Sequence, residues 1–342
     1  MRHAPSPVCV GRATSAGVSK GRGGGFPCSL PLGRMLPVTT GRALRFGLAG
    51  TGYWARITHA PALASTDGIE FAAVWGRNEK AAADLAAVYG ITAHHDVAAF
   101  LDGLDGVAFA VPPSVQAAIG VTAASAGKHL LLEKPIATSA ADADTLVEAV
   151  EQAQVASVVF FTARFQADVR AWLAEVVARG NWACGSAVWL GTALQESSPF
   201  NTPWRRDKGA LWDLGPHAVS LLWASLGPVT SVLADAGPAD VSHLVLHHES
   251  GASSTVTVTL SAPEAAEGFE LYLWGTTGRS TAPQEQDQAV VPLRAALAEL
   301  AANARSGRVS HACDVRFGRD VGRVLAEAQR QIDARRHTQG RM

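Results

Sequence analysis

The fold is decided by a short stretch near residue 50. Residues 44–55 read LRFGLAGTGYWA, an apolar run followed by the pattern G-x-G-x-x-A. The apolar run predicts a buried strand, Gly50 suits the tight turn after it, and Gly52 lets the backbone approach a pyrophosphate. Ala55 is small enough for the next helix to pack closely on the strand. This stretch therefore predicts a dinucleotide-binding unit whose loop residues contact the cofactor: Gly50, Thr51, Gly52, Tyr53 and Trp54.

The segments after this motif alternate between strand-like and helix-like patterns. A second strand is predicted over 71–75, and an Ala-rich helix over 81–89 ends at Gly90, a common C-terminal stop. Two more strands and two more helices follow in turn: 106–111, 115–126, 129–132 and 139–154. Such alternation indicates βαβ units and a parallel sheet. We therefore predict a Rossmann doubly wound domain over residues 43–156.

The residues after the second strand bear on the choice of dinucleotide. An acidic residue there usually holds the ribose 2′-hydroxyl, whereas here Gly76 is followed by Arg77 and Asn78. A guanidinium suits a 2′-phosphate, and this favours NADP over NAD. Stacking of Arg77 on the adenine, which both cofactors share, is the alternative. We predict NADP or NAD, with NADP favoured and with Arg77 and Asn78 among the binding residues.

From about residue 157 the pattern changes. Five stretches show partial period-two alternation: 186–192, 229–235, 242–248, 253–261 and 269–275. They predict an open, mainly antiparallel sheet, against which a helix over 214–226 packs. Helices over 292–306 and 315–334 follow. The predicted fold class is therefore α/β plus α+β, with a second, substrate-binding and oligomerising domain over 157–338.

Composition excludes several classes of protein. Of 342 residues, 48% are hydrophobic and 17% charged, which excludes intrinsic disorder for the chain as a whole. No apolar run reaches the roughly 18–20 residues that cross a bilayer, so we expect no membrane partner. The four cysteines form no C-x-x-C pair, and no Cys/His spacing suggests a metal site. We therefore predict a cytoplasmic protein without a metal.

The near-neutral net charge of −1 hides an asymmetry. Residues 1–42 hold six of the 29 basic residues and no acidic residue, which leaves 23 basic and 30 acidic residues, a net charge of −7, in the rest. The segment is rich in Gly, Pro and Ser and has no apolar periodicity, so we interpret it as a disordered tail. Translation starting at Met35 is an alternative explanation. Six cations over 42 residues make too thin a patch for a nucleic-acid partner, which we do not expect.

Four motifs in a fixed order carry a more specific resemblance. They are the dinucleotide motif, the strand that ends at Pro112-Pro113, GKHLLLEKP over 127–135 and GALWDLGPH over 209–217. Over residues 43–225 this order resembles the Gfo/Idh/MocA family of glucose–fructose oxidoreductase and inositol dehydrogenase. The resemblance implies nicotinamide-dependent oxidation or reduction of a sugar, polyol or related carbonyl compound. It also implies a homo-oligomer assembled through the C-terminal sheet.

The resemblance assigns catalytic roles to three residues. Lys134 matches the lysine of the E-K-P motif, His217 matches the catalytic histidine, and Asp213 matches the carboxylate four residues before it. The chemistry is consistent, because alcohol oxidation needs a base for the hydroxyl proton and a cation beside the developing alkoxide. When these two residues are considered alone, there is an alternative. Asp213 would cap the N-terminus of a helix, and His217 would be a surface residue in the first turn of that helix. On one helical turn, the two would point into the same cleft.

Other positions are assigned to the cofactor or the substrate by the same resemblance. Gln116 replaces the histidine that often follows Pro112, so it can hydrogen-bond near the nicotinamide but not act as a base. Trp204 and Arg205 are predicted to bind substrate together with Lys134, Asp213 and His217. The remaining predicted cofactor contacts are Pro112, Pro113, Glu133, Lys134 and Arg164. For Arg164, an ordinary salt bridge between the domains is the alternative.

Two other functions remain open at this stage. A few relatives of this fold are glycosidases that use bound NAD transiently, and a third alternative is a catalytically silent nucleotide-binding protein. The substrate itself cannot be read from the sequence, because specificity depends on side chains around the site rather than on the fold.

Overall fold

The computed structural model describes residues 41–284 and 288–339. These residues form two six-stranded sheets with helices packed around them. The predicted tail over 1–42 lies outside the described residues, except for its last two. Among the helices of the described ranges, none has the length and apolar composition that a bilayer crossing requires.

The first sheet is parallel throughout. Its strands are β1 (Leu44–Ala49), β2 (Ile69–Trp75), β3 (Thr92–His94), β4 (Gly106–Phe109), β5 (His129–Glu133) and β6 (Ser157–Phe160), in the order β3-β2-β1-β4-β5-β6. A π-helical turn (Ala55–His59) leads into α1 (Ala60–Ser65), and the other helices are α2 (Glu79–Tyr89), α3 (Val97–Leu101), α4 (Pro113–Ser125) and α5 (Ala140–Ala153). Every residue of β4 and β6 is buried, as expected of strands covered on both faces. The predicted parallel sheet is confirmed.

Local chemistry explains the turn that opens this domain. Gly50 has a φ of +134°, and a Cβ there would lie 2.3 Å from the carbonyl oxygen of Ala110. The position therefore requires glycine on steric grounds as well as conformational ones. The helix predicted from Ala55 begins as a π-helical turn, in which the N–H of Ala60 donates to the carbonyl of Ala55.

The second sheet is mixed but mainly antiparallel. Its strands are β7 (Trp182–Leu190), β8 (Val229–Ala236), β9 (Ser242–His248), β10 (Ser253–Thr259), β11 (Gly268–Gly275) and β12 (Gly278–Thr281), in the order β12-β11-β7-β10-β9-β8. β7 and β10 run parallel, and the other neighbouring strands are antiparallel. Along β9 buried and exposed residues alternate strictly, so one face packs inward and the other is open. The predicted fold class is confirmed.

The remaining helices connect and cover the two sheets. They are α6 (Ala167–Arg179), α7 (Pro203–Asp213), α8 (Gly215–Leu226), α9 (Val290–Ser306) and α10 (Val315–Gln339). The side chain of Arg316, at the start of α10, pairs with Glu151 of α5, while Gln331 donates to the backbone of Val232 in β8. α10 therefore ties the first sheet's helical layer to the second sheet.

The division between the sheets differs slightly from the predicted domain limits. β6 belongs to the first sheet, so that sheet continues to Phe160, beyond the predicted limit at residue 156. The domain limits themselves stay a prediction. The sequence also does not predict six of the elements described above: β3, α3, β6, α6, α7 and β12.

Candidate active site

The dinucleotide loop joins β1 to the π-helical turn. The guanidinium of Arg56 donates to the carbonyls of Thr51 (3.1 Å) and Ala81 (2.9 Å), which fixes the loop against α2. Across the described ranges, the N–H groups of Thr51 and Gly52 donate to no backbone carbonyl. Free N–H groups at the start of a helix are suited to bind an anion.

Space for a cofactor lies over the same loop. A Cβ on Gly52 would meet no atom within 4 Å, so the backbone is open where a pyrophosphate would approach. The side chain of Tyr53 is also exposed at this point. These observations fit a dinucleotide, which the predicted residues Gly50 to Trp54 would hold.

The two residues that follow β2 differ in what they offer a cofactor. Arg77 is exposed at the end of the strand, where the usual acidic residue is missing. Asn78 is exposed as well, but its side-chain oxygen caps α2 by accepting from the N–H of Ala81 (2.9 Å). The guanidinium of Arg77 is therefore the group at this position that can meet a 2′-phosphate.

A network of hydrogen bonds holds Glu133, the residue before Lys134. Its Oε1 accepts from the indole Nε1 of Trp54 (2.7 Å) and lies 2.9 Å from Nε2 of His59. Gln116 is fully buried, and its amide accepts from the N–H of Glu133 (2.8 Å) and donates to the Glu133 carbonyl (2.8 Å). The Gln116 amide is thus committed to the Glu-Lys-Pro loop, which favours a positioning role; its predicted contact near the nicotinamide stays a prediction.

Lys134 reaches across from the first sheet to the end of α7. Its Nζ donates to both the carbonyl and the Oδ1 of Asp213, at 2.8 Å each. Arg205 donates from Nε to Oδ2 of the same carboxylate (2.7 Å). We call Lys134, Arg205 and Asp213 the Asp213 cluster. Burial opposes ionisation of Asp213, but the two cations outweigh that effect and hold its pKa well below the ordinary value.

His217 lies beside this cluster in the first turn of α8. It is 7% exposed, and its ring packs on the indole of Trp189, with 5.4 Å between centroids. Burial, reinforced by the charge of Lys134, lowers the pKa of His217 well below its ordinary value, so the imidazole is neutral at physiological pH. Its Nδ1 is enclosed and has no hydrogen-bond partner among the described residues. A neutral imidazole next to an ammonium group can act as a base.

The alternative interpretation of Asp213 and His217 is wrong. Asp213 is the last residue of α7 rather than an N-cap, and both side chains are buried rather than on the surface. The two residues also do not share one helix. Leu214 lies between α7 and α8, and the N–H of His217 donates to Leu214 (3.1 Å) instead of to Asp213. Leu214 keeps helical φ and ψ, so α7 passes directly into α8 and the two residues stay close along the chain.

The other predicted site residues differ in how exposed they are to solvent. Pro112 is exposed and Pro113, the first residue of α4, is buried. Arg164 donates to the carbonyl of Ser220 (3.1 Å) at the junction between the sheets, so its predicted cofactor contact stays a prediction. The indole Nε1 of Trp204 is enclosed, without a hydrogen-bond partner in the described part of the chain.

Two residues of the site are missed by the sequence analysis. His59 supports Glu133, and a histidine inside an apolar helical stretch is the signal that could have found it. Phe200 comes from the segment after β7, and its ring contacts Tyr53 (5.3 Å between centroids) and Trp54 (6.0 Å). The guanidinium of Arg205 lies 5.3 Å from the same ring. No local pattern indicates that this segment reaches the dinucleotide loop.

Two family models match the chain in succession. Residues 44–161 match the model described as "Oxidoreductase family, NAD-binding Rossmann fold", and residues 145–281 match the GFO/IDH/MocA C-terminal domain. The chain belongs to the Gfo/Idh/MocA family. The predicted family is confirmed, and the NAD-binding Rossmann fold of this family is the one that carries Lys134 here.

Two named dehydrogenases are among the proteins similar to this chain in sequence. D-apiose dehydrogenase of Paraburkholderia graminis is 27% identical over 247 residues, which cover 68% of this chain and 64% of that protein, slightly less than two thirds of its length. The 4-carboxy-2-hydroxymuconate-6-semialdehyde dehydrogenase of a Sphingobium species is 26% identical over 231 residues, 65% of this chain and 70% of that one.

A solved structure shows the likeness of the fold. GenD2 from gentamicin A biosynthesis, in complex with NAD, superposes with a TM-score of 0.76 at 20% identity, and the match covers 85% of this chain and 94% of that chain. At this identity the likeness concerns the fold alone.

Proposed function

We propose that this protein is an NAD(P)-dependent dehydrogenase that oxidises a hydroxyl group of a sugar, polyol or related compound, or reduces the corresponding carbonyl. The observation that carries the proposal is the Asp213 cluster with neutral His217 beside it. In this proposal His217 is the base and Lys134 the hydrogen-bond-donating cation, and both lie close to the carboxyl end of the parallel sheet. The named dehydrogenases among the relatives support the same reaction class.

In this proposal, each residue of the site has a separate role in the reaction. A nicotinamide cofactor, which residues 50–54 would hold, would supply the hydride acceptor for the substrate carbon. His217 takes the hydroxyl proton on Nε2, the ring nitrogen that is not enclosed. Two of the three Nζ protons of Lys134 are held by Asp213, and the third can donate to the substrate oxygen as its negative charge develops. The products are a carbonyl group, a protonated His217 and a reduced cofactor.

Asp213 and Arg205 have supporting roles in this scheme. Asp213 holds Lys134 in place and balances its charge, while Arg205 holds the second oxygen of the same carboxylate. Trp204 lies next to Arg205, and an aromatic ring beside a cation suits a polyhydroxylated ligand. We infer that Trp204 and Arg205 line the substrate side of the cleft.

The activity test is to follow reduced-nicotinamide absorbance across a panel of sugars and polyols. We expect His217→Gln to lower kcat/KM by about 10²- to 10⁴-fold, because the base is lost. Lys134→Met should lose at least as much, because the alkoxide loses its donor. Two exposed residues provide matched controls, His337→Gln and Lys80→Met, which should leave kcat/KM unchanged. Equal activity of His217→Gln and wild type would rule out the proposed base.

For the cofactor, we propose NADP over NAD on the basis of exposed Arg77. Binding constants of both cofactors, measured by titration, give the direct test. Arg77→Ala should weaken NADP by roughly tenfold or more, since a charge-assisted hydrogen bond to a phosphate is worth about 1.5–3 kcal/mol. NAD should be affected much less. A wild-type preference for NAD would overturn this assignment.

We also propose a homo-oligomer that assembles through the open face of the second sheet. Leu233 and Val245 are paired across β8 and β9 and are both exposed there, and Trp274 of β11 is exposed on the same sheet. Val245→Glu should then lower the molar mass measured by light scattering without lowering the melting temperature of the monomer. The predicted cytoplasmic location also stays a proposal.

A further inference from the structure

His59 has no role in the chemistry described so far, yet it lies directly behind the site. It is fully buried on the π-helical turn, and its Nε2 is 2.9 Å from Oε1 of Glu133. A carboxylate can only accept a hydrogen bond, so this distance assigns the proton to Nε2. Trp54 donates to the same oxygen at 2.7 Å. Two donors from the nucleotide-binding segment therefore meet on one carboxylate oxygen.

The burial of His59 has a cost to stability at one of its two ring nitrogens. Its Nδ1 is enclosed and has no hydrogen-bond partner in residues 41–284 and 288–339. A buried polar atom without a partner destabilises the folded state, and an apolar side chain of similar size would avoid that cost. π-Helical turns are rare and occur frequently at functional sites. Stability alone therefore does not account for a histidine at this position.

The effect of His59 is transmitted through Glu133. The backbone of Glu133 is held by Gln116, and its second carboxylate oxygen, Oε2, accepts from the N–H of Lys134 (3.3 Å). The residue after Glu133 is Lys134, whose side chain extends to Asp213. The Glu133 carboxylate is thus fixed immediately beside the lysine backbone, and its orientation depends on the donors from His59 and Trp54.

We propose that His59 is a positioning residue for Lys134, an inference that rests on the proposed dehydrogenase function. By holding the Glu133 carboxylate on the side of Trp54, His59 keeps this negative charge away from the lysine ammonium. Lys134 then has Asp213 as its carboxylate partner and keeps one donor for the substrate oxygen. Without His59, the Glu133 carboxylate can turn toward the ammonium and compete with Asp213.

The first test measures Lys134 directly, without cofactor or substrate. The chain has five lysines, Lys20, Lys80, Lys128, Lys134 and Lys208, so a protein labelled with ¹³C at lysine Cε gives few signals. The Lys134 signal is assigned by its loss in Lys134→Met. We expect His59→Leu to shift this signal, and His59→Gln, whose amide can still donate to Glu133, to leave it near its wild-type position. An unshifted signal in His59→Leu would overturn the proposal.

Stability measurements separate positioning from a merely structural role. The melting temperature of His59→Leu should equal or exceed that of wild type, because the unpaired Nδ1 is removed. His248 provides a matched control, since it is also buried but both ring nitrogens have partners, at 2.8 Å each. His248→Leu should lower the melting temperature and leave the Lys134 signal unchanged. If both variants have a lower melting temperature than wild type and neither shifts the Lys134 signal, the role of His59 is structural.

Kinetics complete the test where the wild type is active. His59→Leu should lower kcat at least tenfold and change the cofactor binding constant less than twofold, while His59→Gln should recover most of kcat. If His59→Leu does not fold, Trp54→Phe removes the other donor to Glu133 and should shift the Lys134 signal in the same direction. If wild type neither oxidises an alcohol nor reduces a carbonyl compound, the proposed function fails, but the Lys134 signal still decides whether His59 positions the lysine.

Discussion

Two groups of ion pairs, similar in chemistry, differ sharply in their surroundings. In the Asp213 cluster, the Lys134 and Asp213 side chains are only 11% and 8% exposed. Where α10 meets α5, Arg323 and Asp144 form a pair of similar length, but their side chains are 51% and 40% exposed. At 4 Å, two charges attract by about 1 kcal/mol in water and about 4 kcal/mol at an effective dielectric constant of 20. The location of an ion pair, not its presence, therefore determines how much it contributes to stability.

The buried group also differs in how its charges are balanced. Two cations share one carboxylate in the Asp213 cluster, so removal of that carboxylate takes away the ion-pair partner of both. On α10, Arg319 and Arg323 both lie near Asp144 and Asp320, and water can replace any partner that is lost. The first group can therefore be broken at one residue, whereas the second cannot.

The largest effect is expected for Asp213→Leu. Breaking a buried ion pair by removing one partner typically costs about 3–5 kcal/mol, because an uncompensated charge stays behind. We expect a loss of this size in the free energy of unfolding, measured by urea denaturation, and loss of activity. Asp213→Asn keeps the hydrogen-bond acceptors but not the charge and should lose less stability. If Asp213→Leu lowers the free energy of unfolding by less than about 1 kcal/mol, the Asp213 cluster contributes no more than an exposed surface ion pair.

The second effect is on how the free energy of unfolding depends on pH. Burial is the main cause that lowers the pKa of His129, His217 and His248 in the folded protein. An unfolded histidine titrates near 6.5, so the unfolded chain binds more protons below that pH and is favoured there. Stability should be fully present above about pH 6.5 and fall at lower pH, by up to about 1.4 kcal/mol per pH unit for each histidine.

Urea denaturation at pH 7.5 and pH 5.5 measures this dependence. His217→Gln should show a shallower loss of stability between the two values than wild type, because one of the three titrating groups is gone. The same replacement at exposed His337 should leave the slope unchanged. A wild-type free energy of unfolding that is equal at both pH values would contradict the buried, neutral state of these histidines.

The smallest effect is expected on α10. Arg323→Ala should lower the free energy of unfolding by less than about 1 kcal/mol, as exposed pairs do, and 0.5 M salt should remove most of the difference. The double variant with Asp144→Ala should differ little from either single variant. A loss comparable to that of Asp213→Leu would remove the distinction between the two groups.

Much of the first domain follows from local sequence. Gly50 is required by its φ and by the close carbonyl of Ala110, and the βαβ alternation depends on periodicity that each segment carries by itself. The proposed catalytic residues do not follow from local sequence. Lys134 and Asp213 are 79 residues apart, and nothing in either segment encodes their contact. Their assignment came from the resemblance to a family, not from spacing.

The elements that were not predicted have identifiable physical causes. α7 contains Gly209, with a φ of +65° and non-helical geometry, so a helical pattern is interrupted within it. Pro203 in its first turn and the cap by Thr202 are signals of a helix start that the sequence does carry. The π-helical turn has no local signature, because the donors of Trp54 and His59 find their acceptor, Glu133, only in the folded protein.

The contacts around the site form a closed ring. Trp54 bonds Glu133, Lys134 bonds Asp213, Asp213 bonds Arg205, Arg205 lies over Phe200, and the Phe200 ring returns to Trp54. Substitutions at sites without shared partners usually combine additively, but members of a ring share partners on both sides. Trp54 and Arg205 should therefore be non-additive although they have no hydrogen bond to each other. For anyone engineering this protein, the ring has to be redesigned as a unit rather than one residue at a time.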